Sequence, residues 1–240
     1  MDRDIKKKQI ILENRRPFTP EVRTRMQEMD LIDWITASMR LDGSPMGREQ
    51  IEIILNGGFI EEFSLVEHVL VTRYNSLVAY ARDLLEMTST LNIEMLFAFQ
   101  KKLSEEETPG FRRGNPVLIA LDYNPPHPAE IKEQLSILID WFYSDDEMFN
   151  PVKKAALLHH RVIEIYPFDE YSEAVARACM YYHLMQHGLP VCDIELSQQE
   201  YYAAIIAYLK KANVEPFYRS IERSMHKKME SLIELTQKSR

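Results

Sequence analysis

The chain has 240 residues, with 29 Lys+Arg against 37 Asp+Glu, a formal net charge of -8, 45% hydrophobic and 28% charged residues. A chain of this length buries roughly 70–75% of its unfolded-state surface, so it needs no metal or disulfide staple, and its composition excludes intrinsic disorder. A balance of -8 argues against a protein whose main work is coating nucleic acid, because phosphate contacts need a basic face. Cys179 and Cys192 are too few for a disulfide framework and fit a reducing compartment. No run approaches 18 apolar residues, and the first residues lack the apolar stretch of a signal peptide. The expectation is a cytoplasmic protein with neither membrane nor nucleic acid as partner.

Only 7 Gly occur among frequent Met, Leu, Ala, Glu and Lys, a helix-biased mix. Residues 1–25 carry a basic patch (Lys6, Lys7, Lys8, Arg15, Arg16) followed by Pro17 and Pro20, and read as an N-terminal arm outside the core. Val22, Met26, Met29, Ile32, Trp34 and Ile35 recur at helical spacing and predict a helix that stops at DGSP (42–45). A second helix is predicted over 47–55, closed by Gly57 and Gly58; together the two occupy a region at 26–60. The third, over 64–87, puts Leu65, Val69, Tyr74, Leu77, Val78, Ala81 and Leu85 on one broad face, and Ser64 with Glu67 has the form of a capping box. A shorter helix follows at 92–103. Between TPG (108–110) and NPP (124–126), the run PVLIAL (116–121) is the one good strand candidate and predicts a short β-hairpin around 110–123.

Helices are predicted again at 129–143, 151–165, 172–187, 198–212 and from 216 onward, with 151–165 and 172–187 as the central pair. The last helix sets Phe217, Ile221, Met225, Met229, Leu232 and Leu235 at near-heptad spacing, suited to its own core or to a partner. The fold class is all-α with one small β excursion, a core over 61–214 and a C-terminal helix over 215–240.

The most informative stretch is HHRVIEIYPFDEYSEAVARACMYYHLMQHGLP (159–190). A helix ends at Tyr166 and Pro167, an acidic loop follows, and a new helix opens at Ser172. Ser172 reads as its N-cap, Asp169, Glu170 and Glu173 complement the positive helix end, and Glu173 and Arg177 are spaced i,i+4 as a local ion pair. This helix–loop–helix resembles the Fic (Fido-fold) family, whose active loop is written HPFx[D/E]GNGRxxR. Three further segments match in order. SMRLDG (38–43) is similar to the family's inhibitory motif [S/T]xxxE[G/N], through Ser38, Asp42 in place of Glu, and Gly43. TPGFR (108–112) with Val117, Leu118 and Ile119 is similar to the flap that docks a target's backbone. PVKKAALLHH (151–160) resembles the helix leading into the loop, and Leu189-Pro190 with Glu200, Tyr201 and Tyr202 the segment after it, so that the resemblance spans about residues 30–212.

The resemblance implies a Fic helical bundle with a β-hairpin flap, ATP with Mg²⁺ as cofactors, and transfer of AMP to a protein hydroxyl. It also implies that Tyr166 stands where the family has its catalytic His, Glu170 at the metal-binding acid and Arg177 at the final Arg, while Tyr171, Ser172, Glu173 and Ala174 replace Gly-Asn-Gly-Arg. A Tyr with an ordinary pKa of about 10 stays protonated at neutral pH and cannot accept the target's proton. Bulky and anionic side chains fill the place where glycines let backbone N–H groups approach phosphate. The expectation is a catalytically degenerate member that has a regulatory role and binds a protein along 117–121, with no cofactor or metal assigned and nucleotide binding left open. A homo-oligomer stays open.

Two alternatives compete: a divergent transferase using another nucleotide or phosphate-containing substrate, with Tyr166, Glu170 or a nearby His recruited, and a toxin–antitoxin-type interaction protein acting through its last helix. His183 with His187, and His159 with His160, read as packing groups rather than metal ligands or bases. Arg112 and Arg113 read as solvated flap residues. Ser38 and Asp42 read as the remnant of a clamp, which predicts Asp42 beside Arg177.

Overall fold

A helix with no polar face has to sit in the middle of a bundle, and the segment Ser172–Gln186 is such a helix: residues 174–184 are buried on every side. The structure is a computed structural model that describes residues 3–104, 110–144 and 150–237. Among them are ten α-helices: α1 (Arg3–Glu13), α2 (Pro20–Leu41), α3 (Arg48–Leu55), α4 (Leu65–Glu86), α5 (Ile93–Ser104), α6 (Ile131–Tyr143), α7 (Pro151–Ile165), α8 (Ser172–Gln186), α9 (Gln198–Lys211) and α10 (Glu215–Gln237). The fold is all-α, and α7 and α8 are the central pair, with α4 and α5 packed on α8 and α6, α9 and α10 on α7. Among the described residues no helix is long and apolar enough to cross a membrane.

Helix ends follow local chemistry. At α4 the Ser64 N–H donates to Glu67 Oε2 (3.0 Å) while the Glu67 N–H donates to Ser64 Oγ (3.3 Å), the reciprocal box expected from the sequence. Asn150 caps α7 by accepting from the Lys153 N–H at 2.9 Å, and Pro151 fits its first turn. Helix α2 ends at Asp42, where Gly43 turns left-handed (φ +92°) and Ser44 donates back to Met39 O at 2.9 Å, a Schellman closure. A Cβ at Gly43 would also meet the Gln198 side chain at 2.8 Å.

Two expectations change, and a third, left open, is resolved. The N-terminal segment is not an arm: α1 buries Ile5 and Leu12 against α10, Lys8 pairs with Glu230 at 2.6 Å, and Arg15 donates to Thr236 Oγ1 at 2.6 Å. Lys6, Lys7 and Arg16 are exposed, while two apolar positions and the Lys8 and Arg15 contacts suffice to dock the segment. The hairpin is the second. Residues 119–121 form a 3₁₀ turn, and one antiparallel bridge, Leu118 to Tyr123, is all the β-pairing among the described residues. Left-handed Asp122 (φ 48°) reverses the chain too tightly for a ladder. Third, α10 turns Phe217, Ile221, Met225, Met229 and Leu232 inward, onto α7, α9 and α1, so its apolar stripe is already covered. Trp34 lies fully buried against Tyr181 (ring centroids 4.8 Å apart), and Cys179 and Cys192 are free and fully buried.

Candidate functional site

Helix α7 leaves its last carbonyls without intrahelical donors, and the chain must then turn sharply toward α8. Tyr166 makes the turn in the left-handed region (φ 47°, ψ 65°), with its N–H on Val162 O at 2.9 Å. A non-glycine residue there costs on the order of 1 kcal/mol or more and persists only where surroundings fix it. Phe168 is fully buried against Phe97 and Phe111, at 5.6 and 6.4 Å between ring centroids. Its N–H donates to Ser172 Oγ and its carbonyl accepts from the same hydroxyl, both at 2.9 Å. Ser172 is therefore not the N-cap expected from the sequence. Left-handed Tyr171 (φ 65°) precedes the helix without a side-chain cap bond, and the Ser172 hydroxyl turns inward to satisfy the loop's own backbone.

Arg177, on α8, is 0% exposed. Its Nη2 donates to both oxygens of Asp42 at 2.6 Å, and Tyr74 closes a triangle: its hydroxyl accepts from Nη2 at 3.0 Å and donates to Asp42 Oδ2 at 3.0 Å. The site thus joins the end of α2, the middle of α4 and the first turns of α8. Burial disfavours the Arg177 cation, but Asp42, the Tyr74 and Tyr201 hydroxyls and Glu173 more than offset this and hold its pKa above the ordinary value. The Asp42–Arg177 pair expected across the bundle forms. The local Glu173–Arg177 surface pair does not: Arg177 faces the interior, where Asp42 reaches it because the Schellman turn presents the end of α2 to α8.

Behind Arg177 a polar string continues inward. Nη1 donates to the Tyr201 hydroxyl (3.5 Å), which meets His159 Nε2 at 2.8 Å, and His159 Nδ1 faces His160 Nδ1 at 3.0 Å. Both imidazoles are fully buried, and burial lowers both pKa values, that of His160 to about 3. They are neutral packing groups. His183 is likewise buried, its pKa pushed down to about 3 by burial and then by His187. Among the described residues no three His, Cys, Asp or Glu side chains gather as a metal site.

At the mouth of the site, Glu173 is half-buried. Burial pushes its pKa up to about 7, with Arg177 pulling it down and Asp42 pushing it further up. Half-buried Tyr166 rises to about 12, first by burial and then by Glu173, Tyr202 and Asp42, so its phenol is neutral at neutral pH. Glu170 lies on the exposed side of the loop, whereas Ser38 is fully buried in α2 and its carbonyl accepts from the Asp42 N–H at 3.0 Å. Thr108 and Pro109 of the flap motif lie outside the described residues. Val117 and Ile119 are 69% and 86% exposed, and Leu118 is half-buried with its N–H on Tyr123 O at 3.0 Å.

Arg112 corrects the solvated-flap expectation. It is 1% exposed and donates to backbone carbonyls of the loop, while Arg113 beside it is exposed. Sequence reasoning also missed Tyr74 and Tyr201 as members of the clamp. The one signal for Tyr74 was a phenol on the apolar face of α4, since a buried hydroxyl needs a partner.

A nucleotide phosphate needs an available cation and room at a helix N-terminus. Here Arg177 is already shared between Asp42 and Tyr74, and the first turn of α8 carries the Glu173 carboxyl. In this arrangement the cation and the first turn of α8 are both occupied by the chain's own groups.

Residues 90–184 match the Fic/DOC family. The protein adenylyltransferase Fic of Nematostella vectensis is 24% identical over 178 residues, 72% of this chain and 42% of that protein. Its namesake from Drosophila willistoni is 24% identical over 189 residues, 77% of this chain and 38% of that one. The chain thus spans about two fifths of the length of these curated relatives. A Fic domain containing signaling protein from Bacteroides thetaiotaomicron superposes with a TM-score of 0.82 at 18% identity, over 98% of both chains. Fic-1 from C. elegans does so with a TM-score of 0.80 at 18% identity, over 98% of this chain and 72% of that one. At these identities the two structures speak for the fold.

Proposed function

Because this chain carries a Fic/DOC family domain and is related at low identity to protein adenylyltransferases, we propose that it is a regulatory member of that fold which does not transfer AMP by the family's usual route and acts by binding a protein segment at its flap. The observation that carries this is Arg177, fully buried and held by Asp42. The cation that a phosphate would need is consumed internally, and the residue at the base position, Tyr166, has a pKa near 12. Losing a general base alone costs about 10²–10⁴-fold, roughly 3–5.5 kcal/mol. Each lost donor of an anion cradle removes a further factor on the order of 10²–10³. Either loss takes transfer close to background. The flap keeps what recognition needs, because exposed Val117 and Ile119 offer apolar side chains that a partner segment can cover.

The test is calorimetric titration with ATP and Mg²⁺, beside transfer of labelled AMP by the unaltered protein, Tyr166→His, and a graft restoring the family loop over 166–174. The expected outcome is no micromolar ATP binding, and no transfer by the unaltered protein or the single variant. Glu173 and Tyr171 still fill the phosphate position in Tyr166→His, so only the graft is a candidate for activity. Robust transfer by the unaltered protein would overturn the proposal.

A further inference from the structure

We infer that Arg112 joins the flap and the Tyr166 loop into one mechanical unit, so that whatever displaces the flap displaces Tyr166. A single buried guanidinium and the oxygens around it make the link. From its Nε it donates to Tyr166 O at 2.7 Å, and from Nη2 to Ile165 O at 3.4 Å; these are carbonyls at the end of α7, where intrahelical donors run out. From Nη1 it donates to Gly114 O at 2.8 Å and Asn115 Oδ1 at 3.4 Å, where the chain enters the flap. Nη2 also donates to Pro126 O, where the chain leaves it. The Arg112 backbone N–H adds a bond to Pro167 O at 2.9 Å.

One planar fork therefore holds both ends of the flap, the last residue of α7 and the first residue of the loop. Arg alone has the donors for this, since an ammonium is a point charge and cannot span four separate backbone groups. Burial pushes the Arg112 pKa down and the neighbouring Asp169 pushes it up. With the side chain 1% exposed, moving the flap must either drag the loop or leave a charged group without partners inside the protein. The loop yields at its strained residue, left-handed Tyr166, which stands beside Glu173 and Asp42. A segment seated on Val117 and Ile119 is thereby felt at the clamp. The link itself is independent of the proposed docking role; only its use by a bound segment rests on that role.

The experiment is native-state hydrogen exchange by NMR on the full chain over a urea series, with no partner added. The reporters are the bonded amides of Leu118 and Tyr123 in the flap, and of Tyr166 and Phe168 in the loop. One cooperative unit gives all four the same opening free energy and the same denaturant slope. Two distinct isotherms, flap against loop, would overturn the inference. In Arg112→Lys the protection of all four should fall together, at least tenfold, while amides of 178–184 in α8 keep theirs. A fall confined to the flap, or none, would also overturn it. Should that variant fail to fold, the isotherms of the unaltered chain decide alone.

Discussion

Three side chains, from α4, α8 and the residue that closes α2, set the character of the site. Asp42, Tyr74 and Arg177 bind one another, and removing Asp42 leaves the buried Arg177 cation without its counterpart. Asp42→Ala should cost about 3 kcal/mol, the usual penalty for orphaning a buried cation, trimmed because the Asp42 carboxylate is partly exposed. Tyr74→Phe should cost about 1 kcal/mol, the net worth of a shared hydroxyl. Urea unfolding measures both, and the double variant should lose less than the sum because the two residues share Arg177. Glu173 carries a separate signature. Its folded pKa of about 7 lies above its ordinary 4.5, so the folded chain binds that proton more tightly than the unfolded one. The resulting stability is complete below about pH 4.5 and is lost as pH rises through about 7, a decline of order 2–3 kcal/mol. Glu173→Gln should lack this slope when unfolding free energies of the two proteins are compared from pH 4.5 to 8.

At the scale of elements, helices α2 to α10 were legible because apolar positions recur at helical spacing and their ends are written in short motifs. Ser64 with Glu67 gave the start of α4 to the residue. Helix α1 was misassigned because six of its eleven residues are charged, which hides the two positions that dock it. Ile5→Ala should cost about 2–4 kcal/mol, as for other buried aliphatic truncations, and lower the melting temperature by roughly 5–15 °C. Ile10→Ala, in the same helix but 48% exposed, should change stability by no more than about 0.5 kcal/mol. The run over 117–121 has the composition of a strand, yet the left-handed Asp122 beside it closes a 3₁₀ turn, and Arg112 fixes Gly114 and Pro126 on either side of it. Tyr201 and Arg112 were illegible because of distance along the chain. Their partners lie 24 and 54 positions away, on Arg177 and Tyr166, and a single sequence carries no trace of such pairings.

For the whole molecule, helix α2 is core rather than a removable strap. Residues 32–39 and Leu41 are buried, and Lys228 of α10, 4% exposed at its side chain, pairs with Asp30 at 2.7 Å and Asp33 at 2.8 Å. Freeing Arg177 by a point change and freeing it by truncation should therefore differ. Asp42→Ala should keep a native far-ultraviolet circular dichroism spectrum. Deletion of 1–46 should lose most of the helical signal, because it uncovers Tyr181 and strands the Lys228 ammonium.

Both sulfur atoms of the cysteines lie in that same interior, Cys179 within the central helix and Cys192 under the Tyr181 hydroxyl, which donates to its carbonyl at 2.9 Å. Burial raises both thiol pKa values, so the reactive thiolate is scarce as well as shielded. An alkylating reagent then meets the chain only when the bundle parts, and the rate of thiol capture becomes a clock for that event. A cysteine planted at Ile119 would react at once and the native pair would not, giving a handle on the flap without removing either buried sulfur.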